Sequence, residues 1–315
     1  MQYNVLLDSS IMQKGLPATA GSRMLENFIS PIDATVTSRL AAAGARITGR
    51  LDISEFGASG LFGDYATITE AVKIVLNDKT DAALFNDYTG AVSRAAAAQG
   101  LFYIHPTYGT VSRYGLIPAV TSMDQIGIVC KDLKTGFDVL KIIKGYDPKD
   151  GVMEKGEGRR EKALESPRQL KIAEIEPIYS EIYTQVMQIL CCAELGNNIS
   201  RYDGIKFGHR AGEYNGLNEL YTKSRSEAFG EDVKLAAIIG AMVLSQENYN
   251  MYYDKAMRLR RMIKESAEFD KYDVIKTSCP VFSRLNGLPS LTTPGHVYIA
   301  DAGREDILEA IFDEV

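Results

Sequence analysis

The side chains of this chain that could do chemistry are mostly hydroxyls and carboxylates, and few stand at a spacing that assembles a site. Ser10 and Lys14 are four apart, so on one helical turn a neutral lysine amine could take the proton of a serine nucleophile. Ser93, Ser112 and Ser122 have no histidine nearby in sequence to serve as base. His105, His209 and His296 are isolated, whereas metal centres draw several ligands at close spacing, so neither a metal nor another cofactor is expected. Cys130, Cys191, Cys192 and Cys279 show no C-x-x-C pairing and read as reduced, buried packing residues. Asp147 and Asp150 open a highly charged stretch and read as loop solvation, not as an acid/base pair. Glycine-rich phosphate loops, G-x-S-x-G and H-E-x-x-H are all absent.

Positioning any such residues falls to alternating apolar runs and amphipathic patterns. Asp33 is placed to cap a helix over 34–43, Gly44 to stop it, and 45–51 follows as a strand. Helical patterns recur at 69–76, 91–98 and 132–144, with Gly100 and Gly145 as stops, and 82–85 and 101–104 suit buried strands. This alternation predicts a layered α/β fold. Residues 147–168 carry twelve charges, six of each sign, and read as a solvated surface segment. Beyond them the chain is mainly helical, at 176–200, 216–228 and 231–269, and the run LAAIIGAMVL predicts a helix buried on every side. A strand at 273–275, a Pro/Gly-rich passage over 280–295 and a helix at 305–312 complete the chain.

With 315 residues and 45% hydrophobic content, a single domain over 1–315 is expected. The net charge of −6 has the wrong sign for a chain that grips phosphate backbones, so direct nucleic-acid binding is not expected. No apolar stretch reaches the ~20 residues of a membrane span, and MQYNVLLDSS lacks the features of a signal peptide, so a cytoplasmic protein with no membrane partner is expected.

Three stretches carry a resemblance: ATAGSRMLENFISPIDATVTSRLAAAGARITGRLDISEF (18–56), PTYGTVSRYGLIPAVTSMDQIGIVCKDL continuing to KGYDPKD (106–150), and ISRYDGIKFGHR continuing to SRSEAFGEDVK (199–234). They resemble the amidase signature family, and within it the A subunit of the tRNA-dependent glutamyl/aspartyl amidotransferase; VLSQENYNMYYDKAMRLR (243–260) extends the likeness. The resemblance implies one α/β/α domain whose twisted mixed sheet is covered by helices on both faces. It also implies glutamine hydrolysis by a serine nucleophile, a bridging serine and a lysine base, with ammonia passed to a B subunit.

Matched residue by residue, this chain departs from that machinery. The lysine position reads Asp8, and an ordinary carboxylate, with a pKa near ~4, is a poor proton acceptor for serine. Thr89 stands for the bridging serine in a loop where Tyr88 and Val92 replace glycine-rich turns. Gly100 runs through Leu101–His105 directly to Pro106, leaving no room for the nucleophile segment. The arginine positions that would grip a substrate carboxylate read Leu235 and Ala236, and the substrate-completing region is shortened between Cys279 and Leu285. A catalytically degenerate homologue is therefore expected, serving in binding, scaffolding or regulation. Its expected partner is a B-subunit-like protein or a second copy of itself, and its cleft would hold Thr89, Tyr108 and Ser122. The alternative is an active amidase or glutaminase-type hydrolase, with a rebuilt site using Ser9, Ser10 or Thr89 as nucleophile and Lys14 or Lys131 as base, that supplies ammonia for transamidation of Glu-tRNA(Gln) or Asp-tRNA(Asn).

Overall fold

Short apolar runs become the strands of one mixed sheet. The computed structural model describes residues 3–77, 79–153, 170–175 and 180–312, so most of the charged segment, 154–168, lies outside them. The first half contains β1 (Asn4–Asp8), α1 (Thr35–Ala42), β2 (Arg46–Leu51), α2 (Ala66–Lys73), β3 (Ala82–Asn86), α3 (Ala91–Ala98), β4 (Phe102–His105), β5 (Ile126–Cys130) and α4 (Leu133–Ile143). The second half contains β6 (Ile172–Glu174), α5 (Ser180–Asn198), α6 (Gly216–Ala228), α7 (Glu231–Leu244), α8 (Lys255–Glu265), β7 (Val274–Thr277), α9 (Val281–Asn286), β8 (Ser290–Thr292), β9 (Val297–Ala300) and α10 (Glu305–Phe312). Among the described residues the strands run in the order β2-β1-β3-β5-β4-β8-β9-β7-β6. β1 is parallel to β2 and β3, and β6 to β7; the other pairs are antiparallel.

Every residue of β3 and β5 is buried, as central strands covered on both faces require. Side-chain alternation divides the packing. Val5, Leu7, Leu84 and Ile128 meet Val36 and Leu40 of α1 and Phe137 and Leu140 of α4. Leu6, Phe85, Tyr103 and Val129 meet Ile68 and Val72 of α2 and Val92 and Ala95 of α3. A third core gathers Leu190, Cys191 and Leu195 of α5 with Val233 and Ala236 of α7 and with Ile275 and Ile299 at the far end of the sheet. Helices thus lie on both faces of the sheet.

Local signals placed most boundaries. Asp132 caps α4 by accepting the Thr135 N–H at 2.8 Å, and Gly44 and Gly100 stop their helices with φ of +77° and +73°. Asp33 departs from expectation. Ala34 is the N-cap of α1, while the Asp33 carboxylate accepts the backbone N–H of Lys14 at 2.8 Å. The pattern over 231–269 also divides, into α7, a π-helical turn at Asn250–Asp254, and α8.

Helix α7 is not the interior helix its composition suggests. Val233, Ala236, Gly240 and Val243 form one buried stripe against α5, and a Cβ on Gly240 would lie 2.3 Å from the Cys192 carbonyl oxygen, so the two backbones touch there. The opposite stripe, Leu235, Ile238 and Met242, is exposed. Among the described residues no helix is long and apolar enough to cross a membrane.

Candidate functional site

Asp8 ends β1 between its two parallel neighbours, where the strand hands the chain to a tight turn. Its carboxylate is fully buried and accepts the Asn86 N–H at 2.7 Å, the Ser10 N–H at 2.6 Å and the Ser10 hydroxyl. Asn86, at the end of β3, donates its amide to Asp124 at 2.8 Å and accepts the Gln125 N–H at 3.0 Å. Asp124 also accepts the N–H groups of Ala119 and Val120. Burial pushes both Asp8 and Asp124 above the ordinary carboxylate range, against the pull of these hydrogen bonds. Asp8, Asn86 and Asp124 form a buried polar string that fixes three loop ends. The acceptor capacity of Asp8 is committed to donors of the fold.

Thr89 leads from β3 into α3. Its hydroxyl accepts the Ala91 N–H at 3.2 Å, while Gly90 turns the chain with φ of +80°. Gly60 lies against it, and a Cβ there would fall 2.8 Å from the Thr89 hydroxyl. These residues wall a cavity of about 170 Å³ together with Leu61, Tyr65, Arg94, Thr184, Gln188 and others. Arg94 donates to the Tyr65 hydroxyl at 3.0 Å, and Gln188 to the Leu61 carbonyl at 2.7 Å. Among the described residues the lining holds no Lys, His, Cys, Asp or Glu. Such a wall offers hydrogen bonds and one cation, and no group suited to accept a hydroxyl proton at neutral pH.

Tyr108 and Ser122 sit together, on either side of Thr121. The Tyr108 hydroxyl donates to the Thr121 carbonyl at 2.8 Å and accepts from Arg113 at 2.9 Å, with the guanidinium 5.0 Å from the ring centroid. The Ser122 N–H and hydroxyl both bond the Glu194 carboxylate, and Arg260 approaches that hydroxyl at 3.5 Å. The cavity beside them, about 160 Å³, is walled by Arg113, Thr121, Asp124, Lys149 and Asp150 among others. Tyr108 and Ser122 thus meet through Thr121, which lines this cavity while they do not, and Thr89 lines the other one.

Asp147 and Asp150 are not loop solvation. Both are buried. Asp150 takes a forked ion pair from Arg113, at 3.0 Å from Nη2 and 3.1 Å from Nε, and Asp147 accepts the hydroxyls of Ser112 and Thr35. Burial raises each carboxyl, and these bonds outweigh it, leaving both below the ordinary range. The other candidate bases stand apart: Lys131 donates to the Asn77 carbonyl at 2.6 Å, and the chain between Ser10 and Lys14 is not helical, so four-residue spacing does not stack them. The Ser9 hydroxyl has no hydrogen-bond partner among the described residues.

Sequence reasoning missed the ion pair of Arg284 with Asp87, 3.1 Å apart with both side chains essentially inaccessible. Arg284 also reaches the Ser283 and Ser290 hydroxyls and the Asp87 carbonyl, and lies 5.4 Å from the Tyr103 ring centroid. Asp87 in turn accepts the N–H groups of Val92 and Ser93 at the start of α3. The one available signal was an arginine within the apolar run Val281–Leu285. His105 is buried nearby, and burial followed by the Arg284 charge pushes its pKa well below the usual histidine range, so its ring stays neutral. Among the described residues no group of three or more His, Cys, Asp or Glu side chains is arranged to hold a metal ion.

Comparison with known proteins bears on the family and the fold. The sequence model of the family described as amidase matches residues 5–64, 78–181 and 159–287. The A subunit of the glutamyl-tRNA(Gln) amidotransferase of Lachnoclostridium phytofermentans is 31% identical over 351 residues, covering 94% of this chain and 71% of that protein. Its counterpart from Thermoanaerobacter pseudethanolicus is 32% identical over 324 residues, covering 86% and 66%. Among solved structures, the peptide amidase of Stenotrophomonas maltophilia superposes with a TM-score of 0.73 at 17% identity, over 98% of this chain and 81% of that one. The A subunit of the glutamyl-tRNA(Gln) amidotransferase of Thermotoga maritima does so with 0.60 at 22%, over 98% and 81%. The structural likenesses speak for the fold.

Proposed function

Because this chain belongs to the amidase family, we propose that it is a catalytically degenerate relative of the amidotransferase A subunit, working by binding, scaffolding or regulation and not by hydrolysing glutamine. The observation that carries this reading is the wall of the Thr89 cavity: a hydroxyl is present, and among the described residues no base stands beside it. A threonine hydroxyl is a weak nucleophile until a neighbouring group takes its proton. Asp8, the residue matched to the family's lysine, is sealed by its three donors and reaches no substrate. Leu235, matched to a substrate-gripping arginine, faces outward from α7. Partial loss of such machinery in serine hydrolases costs ~10³–10⁶ in rate, so the combined losses leave no useful turnover.

On this reading the partner is a B-subunit-like protein or a second copy of the chain, and any link to tRNA runs through that partner. One continuous sheet supports reading the chain as one domain. Four buried cysteines that form no disulfide support a reducing compartment such as the cytoplasm. The deciding measurement is ammonia release from glutamine, asparagine and simple amides, read through a coupled glutamate dehydrogenase assay. The expected rate equals the enzyme-free blank. Sustained turnover abolished by Thr89→Val or Ser10→Ala would establish the rebuilt-hydrolase alternative instead.

A further inference from the structure

We propose that the Thr89 cavity is a binding site for a small monocarboxylate, its carboxylate forked on Arg94 at the mouth and its short apolar tail turned inward. The inference rests on the reading above that this cavity binds and does not hydrolyse; ligand binding and ammonia release are measured separately, so either can fail alone.

Among the described residues of the cavity wall Arg94 is the one cation, and no Asp or Glu stands beside it. Its guanidinium is exposed and spends one of its five N–H donors on the Tyr65 hydroxyl, at 3.0 Å. Having accepted that bond, the Tyr65 hydroxyl keeps its own proton to donate, and so does the Thr89 hydroxyl, which accepts the Ala91 N–H at 3.2 Å. Donors gathered round one uncompensated cation are the complement of an oxyanion, and the planar guanidinium fork matches a carboxylate. A carboxamide fits worse. It brings no charge to the guanidinium, and its amide group adds donors to a wall already rich in them.

Inward from Arg94 the wall turns apolar. Leu61, Met187 and Val281 line it and are buried, at 4%, 3% and 2% exposure, and Phe62 is half-buried. Phosphate and sulfate are therefore poor occupants, because a compact, strongly hydrated ion would meet one cation and then hydrocarbon. A monocarboxylate leaves its charge at the exposed guanidinium, where desolvation costs little, and buries its tail. The cavity of about 170 Å³ equals the share of about six water molecules at ~30 Å³ each, which suits a ligand of about six non-hydrogen atoms, the size of butyrate. So small a ligand with one charged fork binds weakly, with a dissociation constant between about 50 μM and about 1 mM.

The test is titration of the full chain with butyrate, followed by calorimetry at low salt and by saturation-transfer-difference NMR. The wild type binds butyrate in that range, and butyramide, of the same shape without the charge, at least about tenfold more weakly. Arg94→Gln, at an exposed helical position, keeps the wild-type circular dichroism and loses at least about tenfold in affinity for butyrate. Acetate binds at least about fivefold more weakly than butyrate, since each buried CH₂ is worth about fourfold. Absence of butyrate binding up to about 10 mM overturns the proposal, as does binding unaffected by Arg94→Gln. So does butyramide binding as tightly as butyrate, or displacement of butyrate by equimolar inorganic phosphate. Equal affinities for acetate and butyrate overturn it as well, because they reveal surface ion pairing with Arg94 and no seated tail.

Discussion

Arg284 and Asp87 show how much one buried ion pair can organise. The arginine ties α9 to the chain leaving β3 and to β8, and the aspartate caps α3 while balancing the buried charge. Removing one partner of a buried ion pair leaves the other charge stranded. Arg284→Met is therefore expected to cost about 3–5 kcal/mol in urea unfolding, and the Arg284→Met/Asp87→Asn double variant clearly less than the sum of its singles. Additive losses would show that the two residues act independently. Neither residue announced itself in sequence, because the pairing joins positions 197 apart. Asp8 and Thr89 were legible because short stretches around them align with a known pattern; what seals Asp8, the N–H of Asn86, was not.

Strands and helices were the readable layer. The bounds expected for α3 and α6 are those observed, and β3 and β4 coincide with the apolar runs at 82–85 and 101–104, since a period of side chains is a local property; β5 was not read. Close approach between elements is not. Gly127 on β5 is needed because a Cβ there would stand 2.1 Å from the Tyr103 hydroxyl and 2.8 Å from the Ile104 carbonyl of the adjacent β4. Gly127→Ala is expected to destabilise by about 1–3 kcal/mol or more, since β4 must shift. Gly151→Ala, at a position with open space and ordinary φ, should stay within about 0.5 kcal/mol. Equal effects on the melting temperature would remove this account. The outward stripe of α7 belongs here too: composition says the helix is apolar all round, and only its packing against α5 and the segment at 55–61 decides which half is left open.

Buried carboxylates of opposite behaviour set the response of the protein to acid. Asp147 and Asp150 have folded pKa values below the ordinary range, so their ionisation favours the folded state; their contribution is complete above the unfolded value near ~4 and is lost as pH falls through the folded values. Asp8 and Asp124 are raised, so protonation favours the folded state and their contribution grows as pH falls through their folded values. Urea midpoints from about pH 7 to about pH 3 should therefore fall less steeply at the acid end in Asp150→Asn than in the wild type, and more steeply in Asp124→Asn. Parallel curves for all three would refute this assignment. Both aspartates at 147 and 150 looked solvated in sequence, because a charged stretch carries no mark of which members turn inward. The alternation of elements and the family pattern lie in the order of residues along the chain, where neighbours a few positions apart suffice to express them. Which carboxylates are buried, which cavity Thr89 joins, and which face of α7 meets solvent depend on partners tens to hundreds of residues away, and only packing in three dimensions brings those partners within bonding distance.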